Sequence, residues 1–100
     1  GLVAVVDEEA RLTYAELATN SAALAAALLH KGLTCLSTRP LATLLRRGGQ
    51  WFTVYAASMR CGVPLLALSC DLRDRTVEDA RNEEALATLD PQMLLHAAVA

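Results

Sequence analysis

The chain has 100 residues, 54% of them hydrophobic but only 4% aromatic, and a formal net charge of −2. That length suffices for one small domain or part of a larger one, and not for two. Acids and bases are interspersed, which disfavours nucleic-acid or anionic-membrane binding, and the longest uncharged apolar run, Ala22 to Leu29, is far short of the ~18 residues of a transmembrane helix.

In chain order, Val3–Val6 and Arg11–Thr13 read as two short strands around the acidic turn Asp7-Glu8-Glu9, an N-terminal β-hairpin. Thr13 and Glu16 then stand in the Ser/Thr-x-x-Glu spacing of a capping box, each side chain reaching the other's backbone amide. This fixes the start of an Ala- and Leu-rich helix over Tyr14–His30, with Leu17, Leu24 and Leu28 at helical spacing. Lys31 complements the carboxyl end of the helix dipole, and Gly32 can adopt a left-handed stop. Leu41–Leu45, Leu65–Leu68 and Met93–Val99 are continuously apolar rather than alternating, as in parallel strands covered on both faces. Between them lie an amphipathic helix, Gln50–Cys61, with Trp51, Val54, Tyr55 and Met59, and a charged one, Thr76–Leu89. Strand and helix alternate, so the fold expected is α/β: a mostly parallel sheet covered by helices, part of a larger doubly wound domain, with no internal boundary over residues 1–100.

The hydrophobic fraction exceeds the roughly 45–50% of ordinary soluble domains. In so short a chain this excess implies that further protein packs on an unfilled apolar face, or that copies of the chain associate through it. Gly1 is not an initiator methionine and Val99-Ala100 stops inside an apolar run, so both ends are expected to be cut. Cys35, Cys61 and Cys70 are odd in number and lack C-x-x-C spacing, against a disulfide framework or a thiolate zinc site. With no signal peptide at the start, the default setting is reducing and cytoplasmic.

Several residues could carry chemistry, and each has a plainer structural reading. Arg46-Arg47-Gly48-Gly49 lies between a strand and a helix, where α/β folds bind anions. Neither G-x-x-x-x-G-K-[ST] nor G-x-G-x-x-G is present, so the segment reads as a tight turn needing glycine torsions, with solvated arginines. Asp71-Leu72-Arg73-Asp74-Arg75 follows the next strand on the ligand-binding edge of such sheets, but Asp74 or Thr76 is expected to cap the following helix. Glu78, Asp79, Glu83 and Glu84, opposed by Arg75 and Arg81, read as a solvated face with local ion pairs. His30 falls in the last turn of its helix and His96 in a strand expected to be buried, neither with a partner of triad or ligand type nearby. The cysteines are expected to be small core hydrophobes, Cys61 least securely because Arg60 adjoins it, and Trp51 and Tyr55 to be core packing.

Leu12-Thr13-Tyr14-Ala15-Glu16-Leu17 resembles the first core motif, L-[TS]-Y-x-E-L, of the adenylate-forming enzymes: acyl-CoA synthetases, luciferases and nonribosomal peptide adenylation domains. Arg46 to Leu72 resembles that superfamily's second conserved stretch, with Arg60-Cys61-Gly62 where K-A-G is expected and Val63 to Leu68 for the strand A-Y-V-P-L-D. Ala67 replaces the usual proline, Ser69 the usual aspartate, and Thr38-Arg39-Pro40 the usual Gly-Asp-Arg. The resemblance covers nearly the whole chain as an N-terminal portion of an AMP-binding (adenylation) domain.

It implies a parent enzyme that activates a carboxylate with ATP and Mg²⁺ to an acyl adenylate and passes the acyl group to a thiol, CoA or a carrier phosphopantetheine. It also implies that the remainder of that domain is the partner of this chain. In the superfamily the work is done by a Ser/Thr/Gly-rich loop with a lysine, an aspartate for the ribose, and a lysine on a mobile C-terminal domain. None of these motifs occurs in residues 1–100, so no catalytic, cofactor-binding or metal-ligating residue is assigned here, no cofactor is expected to bind, and the chain alone is expected to be inactive. The contrasting reading is a small non-catalytic α/β protein-interaction module. A receiver-like reading fails, because Val3 to Asp7 supplies one acid cluster and no Thr/Ser and Lys follow at later strand ends. The capping box gives a direct check: Thr13→Ala is predicted to cost about 1 kcal/mol in urea unfolding, and Thr13→Ser much less.

Overall fold

A computed structural model describes residues 3–6, 11–46, 48–69 and 74–96; at 3–6, 11 and 12 only the backbone is described. In chain order the elements are β1 (Val3–Val6), β2 (Arg11–Thr13), α1 (Tyr14–His30), β3 (Leu41–Leu44), α2 (Gly49–Cys61), β4 (Leu65–Ala67), α3 (Arg75–Leu89) and β5 (Met93–His96). β1 pairs antiparallel with β2; the acidic turn at 7–9 lies outside the described residues.

The alternation read from the sequence is realised as an α/β fold with one three-stranded parallel sheet in the order β4-β3-β5. Leu41 is in register with Leu65 on one side and Met93 on the other. The ladder extends beyond the strands through Leu41 N–H to Pro64 O (2.9 Å), Leu68 N–H to Thr43 O (2.8 Å) and Gln92 N–H to Pro40 O (2.8 Å). Leu41, Ala42 and Thr43 have no exposed surface, as a central strand requires.

α1 begins as the capping box dictates, with Glu16 N–H donating to Thr13 Oγ1 (3.0 Å) and Thr13 N–H to Glu16 Oε1 (3.4 Å). α1 and α2 end alike. Gly32 (φ +109°) and Gly62 (φ +69°) take positive φ, and the residue after each donates back to the final turn, Leu33 to Leu28 O (3.0 Å) and Val63 to Ser58 O (3.1 Å). This double wrap satisfies the last carbonyls, and both Leu33 and Val63 are driven into the core, each 3% exposed.

α1 and α2 pack together over the sheet face that carries Leu41, Leu65, Met93 and Leu95. The buried stripe of α1 is Ser21, Ala25 and Leu28, whereas Leu17 and Leu24 are only half-buried. Small residues win this seam because α2 answers with Val54, Ala57, Ser58 and Cys61, letting two backbones come close. Ser21 keeps its hydroxyl satisfied by accepting from Arg60 Nε (3.0 Å) and donating to Ala18 O (3.1 Å). The same geometry corrects the expected core role of Trp51 and Tyr55. They stack on one another with centroids 5.5 Å apart, but Tyr55 is 45% exposed, because it lies one residue round the helix from Val54 and off the seam.

β5 is an edge strand. Its residues alternate between half-buried and exposed, so His96, expected in a buried strand, is exposed at its end. Two polar latches hold the periphery. Gln92 accepts from Thr34 N–H (3.0 Å) and donates to Thr34 O (2.9 Å) and Arg39 O (2.7 Å). Arg39 in turn donates to Asp90 O (2.6 Å) and Pro91 O (3.1 Å), at the point where Asp90 ends α3 with a left-handed φ of 43°. Gln92→Ala is predicted to lower stability by about 2 kcal/mol through three lost bonds. Gln92→Glu is predicted to do no better, since a carboxylate would face two carbonyls; both are read from denaturant midpoints.

Candidate functional site

In open parallel sheets ligands gather at the carboxyl ends of the strands. Here that edge comprises Leu45 to Gly49 between β3 and α2, and Leu68 to Asp74 between β4 and α3. Arg47 and residues 70–73, including Cys70, Asp71 and Arg73, lie outside the described residues.

On the β3 side, Arg46 is exposed and Gly49 is the buried first residue of α2. Gly48 caps the helix without a side-chain bond and with φ 172°. That is extended backbone, so the expectation that this turn needs special glycine torsions is corrected for Gly48. No acidic residue occupies the first turn of α2. Thr43, on β3 five residues before Gly48, is wholly buried, and its Oγ1 has no hydrogen-bond partner.

On the β4 side the chain is locked to α3. Ser69 N–H donates to Asn82 Oδ1 (2.9 Å), Asn82 Nδ2 donates to Ser69 O (2.7 Å), and Ser69 Oγ donates to Glu78 Oε2 (3.2 Å). Glu78 is thus 8% exposed, not part of the solvated face the sequence implied. Its spacing with Asn82, one helical turn apart, is the signal that both serve one partner. Asp74 caps α3, its Oδ1 accepting from Thr76 N–H (3.0 Å) and Val77 N–H (3.3 Å), which resolves the choice of cap.

The remaining candidates are scattered. His30 is exposed at the end of α1. Cys61 is a core residue, 7% exposed, its Sγ 3.7 Å from Ala25 O as a weak donor. Burial first, and then the neighbouring Cys35, push its thiol pKa above the ordinary range. Cys35 is exposed, against the expectation of a core position, because it sits in the turn after Thr34 where the chain crosses the surface. Among the described residues no group of three or more His, Cys, Asp or Glu could hold a metal ion. No helix is long and apolar enough to cross a membrane among the described residues.

The family model for AMP-binding enzyme matches residues 1–96. The chain belongs to this family, the adenylate-forming superfamily. No curated protein matches the chain. The capping box fixes where α1 starts, and the Arg60-Cys61-Gly62 helix end turns the chain toward β4 and ties α2 to Ser21. Thr43 offers a test of the edge. Thr43→Val, which keeps the shape and removes an unpartnered buried hydroxyl, is predicted to be neutral or stabilising within about 1 kcal/mol by thermal unfolding. A larger loss would reveal a partner for that hydroxyl.

Proposed function

We propose that this chain is the N-terminal scaffold of an ATP-dependent carboxylic acid:thiol ligase. Its parent would form an acyl adenylate and transfer the acyl group to CoA or to a carrier phosphopantetheine. The observation that carries this reading is the family match across residues 1–96, joined to a strand-helix order in which both resembling motifs fall at structural junctions. In that chemistry the protein must hold the triphosphate and stabilise charge developing at phosphorus as the carboxylate attacks. The groups for that work belong to the rest of the adenylation domain, which is the partner that would cover the incompletely buried sheet edge at Leu94 and the exposed α3 residues Val77 and Leu89. The family implies ATP and Mg²⁺ for the parent, and a soluble, cytoplasmic setting accords with this chemistry.

The experiment is to read the transcript past the codon for Ala100 and to assay ATP–pyrophosphate exchange on the chain alone and on the longer product. The reading predicts a Ser/Thr/Gly-rich loop with a lysine in the next domain-sized stretch, exchange by the longer product with its acid, and none by residues 1–100. A stop codon directly after Ala100 would contradict it and favour a non-catalytic interaction module working through the exposed apolar side chains.

A further inference from the structure

Two cysteines stand on neighbouring segments of this fold although 25 residues separate them in sequence. Cys35 lies in the exposed turn between α1 and β3, and Cys61 is the last residue of α2. A β-carbon placed on Gly62 would sit 3.5 Å from the Cys35 β-carbon. Cys61 precedes Gly62, and consecutive Cα atoms are only about 3.8 Å apart, so the end of α2 that carries Cys61 lies beside the Cys35 turn. Both segments are held: Thr34 is bonded to Gln92 on one side of Cys35, Ser37 Oγ accepts from Arg39 N–H on the other, and Gly62 and Val63 close the end of α2.

We propose that Cys35 and Cys61 form a reversible intramolecular disulfide, a redox-sensitive staple between the α1–β3 turn and the carboxyl end of α2. The two thiols divide the work by accessibility. The exposed Cys35 thiolate attacks one sulfur of a small-molecule disulfide of the glutathione type, forming a mixed disulfide and releasing one thiol. The Cys61 thiolate then attacks the Cys35 sulfur and expels the second thiol. Two electrons pass from the protein dithiol to the small disulfide, and the two thiol protons leave on the released molecules. Turning toward Cys35, the Cys61 side chain gives up part of its core packing and a weak sulfur–carbonyl contact, at 3.7 Å to Ala25 O, but no strong hydrogen bond. The raised Cys61 pKa, to which Cys35 contributes, accords with the two sulfurs sensing one another. The same rise leaves Cys61 protonated at neutral pH, so the second step is the slow one.

The test is incubation of the chain with oxidised glutathione, followed by intact mass, tryptic mapping and thermal unfolding. Cys70 is replaced by serine so that the peptide containing Cys61 carries a single thiol. The expected product is monomeric, lighter by two hydrogens, has Cys35 linked to Cys61, melts several degrees higher than the reduced chain, and reverts with dithiothreitol. Cys35→Ser and Cys61→Ser should each abolish the link, the second leaving glutathione trapped on Cys35. Stable glutathionylation of Cys35 with Cys61 free in the otherwise unaltered pair, or a Cys35–Cys35 dimer as the main product, would overturn the proposal.

Discussion

Everything in this fold hangs on keeping one short strand dry. β3 has a neighbour on each side and no solvent on Leu41, Ala42 or Thr43, so its backbone groups must be paired within the sheet and its side chains must be covered. The α1–α2 pair does most of that covering. Its seam of Ser21, Ala25, Ala57 and Ser58 lets the helices approach closely, and Leu28, Leu33, Val54, Cys61 and Val63 then close over Leu41. The helix ends matter as much as the faces, since the left-handed glycines at 32 and 62 turn Leu33 and Val63 inward at the positions where the chain must re-enter the sheet.

Away from that seam the attachment is polar. α3 buries only Glu78, and it is held through Asn82 and Glu78 to Ser69 and through Arg39 to the residues that end it. Hydrogen bonds of this kind fix position but contribute modestly, because water competes for every partner. The molecule thus grades from an apolar core around β3 to a periphery pinned by single side chains, and the exposed Val77, Leu89 and Leu94 lie on that periphery.

The local rules were readable in the residues. The capping box, the helix stop at Gly32 and the three apolar runs specify where elements begin and end, since each depends on neighbours within a few positions. What could not be read depends on partners far along the chain. Periodicity pointed to Leu17 and Leu24, but the approach of α2 selects Ser21 and Ala25; Trp51 and Tyr55 look like core until α2 is rotated so that Val54 and Ala57 face inward. Glu78 looks solvated until Ser69, nine residues earlier, arrives beside it. Of the strand-end candidates, Asp74 is the cap of α3, and Arg46 lies exposed just past β3. The family was legible from two motifs because these encode backbone junctions.

Amide hydrogen exchange resolved to single residues tests the central claim, that a dry β3 beneath the α1–α2 seam is the stable unit and α3 an attachment. The account predicts that Ala42, Thr43 and the α1 and α2 amides around Ala25 and Ala57 exchange only by global unfolding, with α3 amides exchanging much faster through local opening. Equal protection across all three helices, or faster exchange in β3 than in α3, would contradict it.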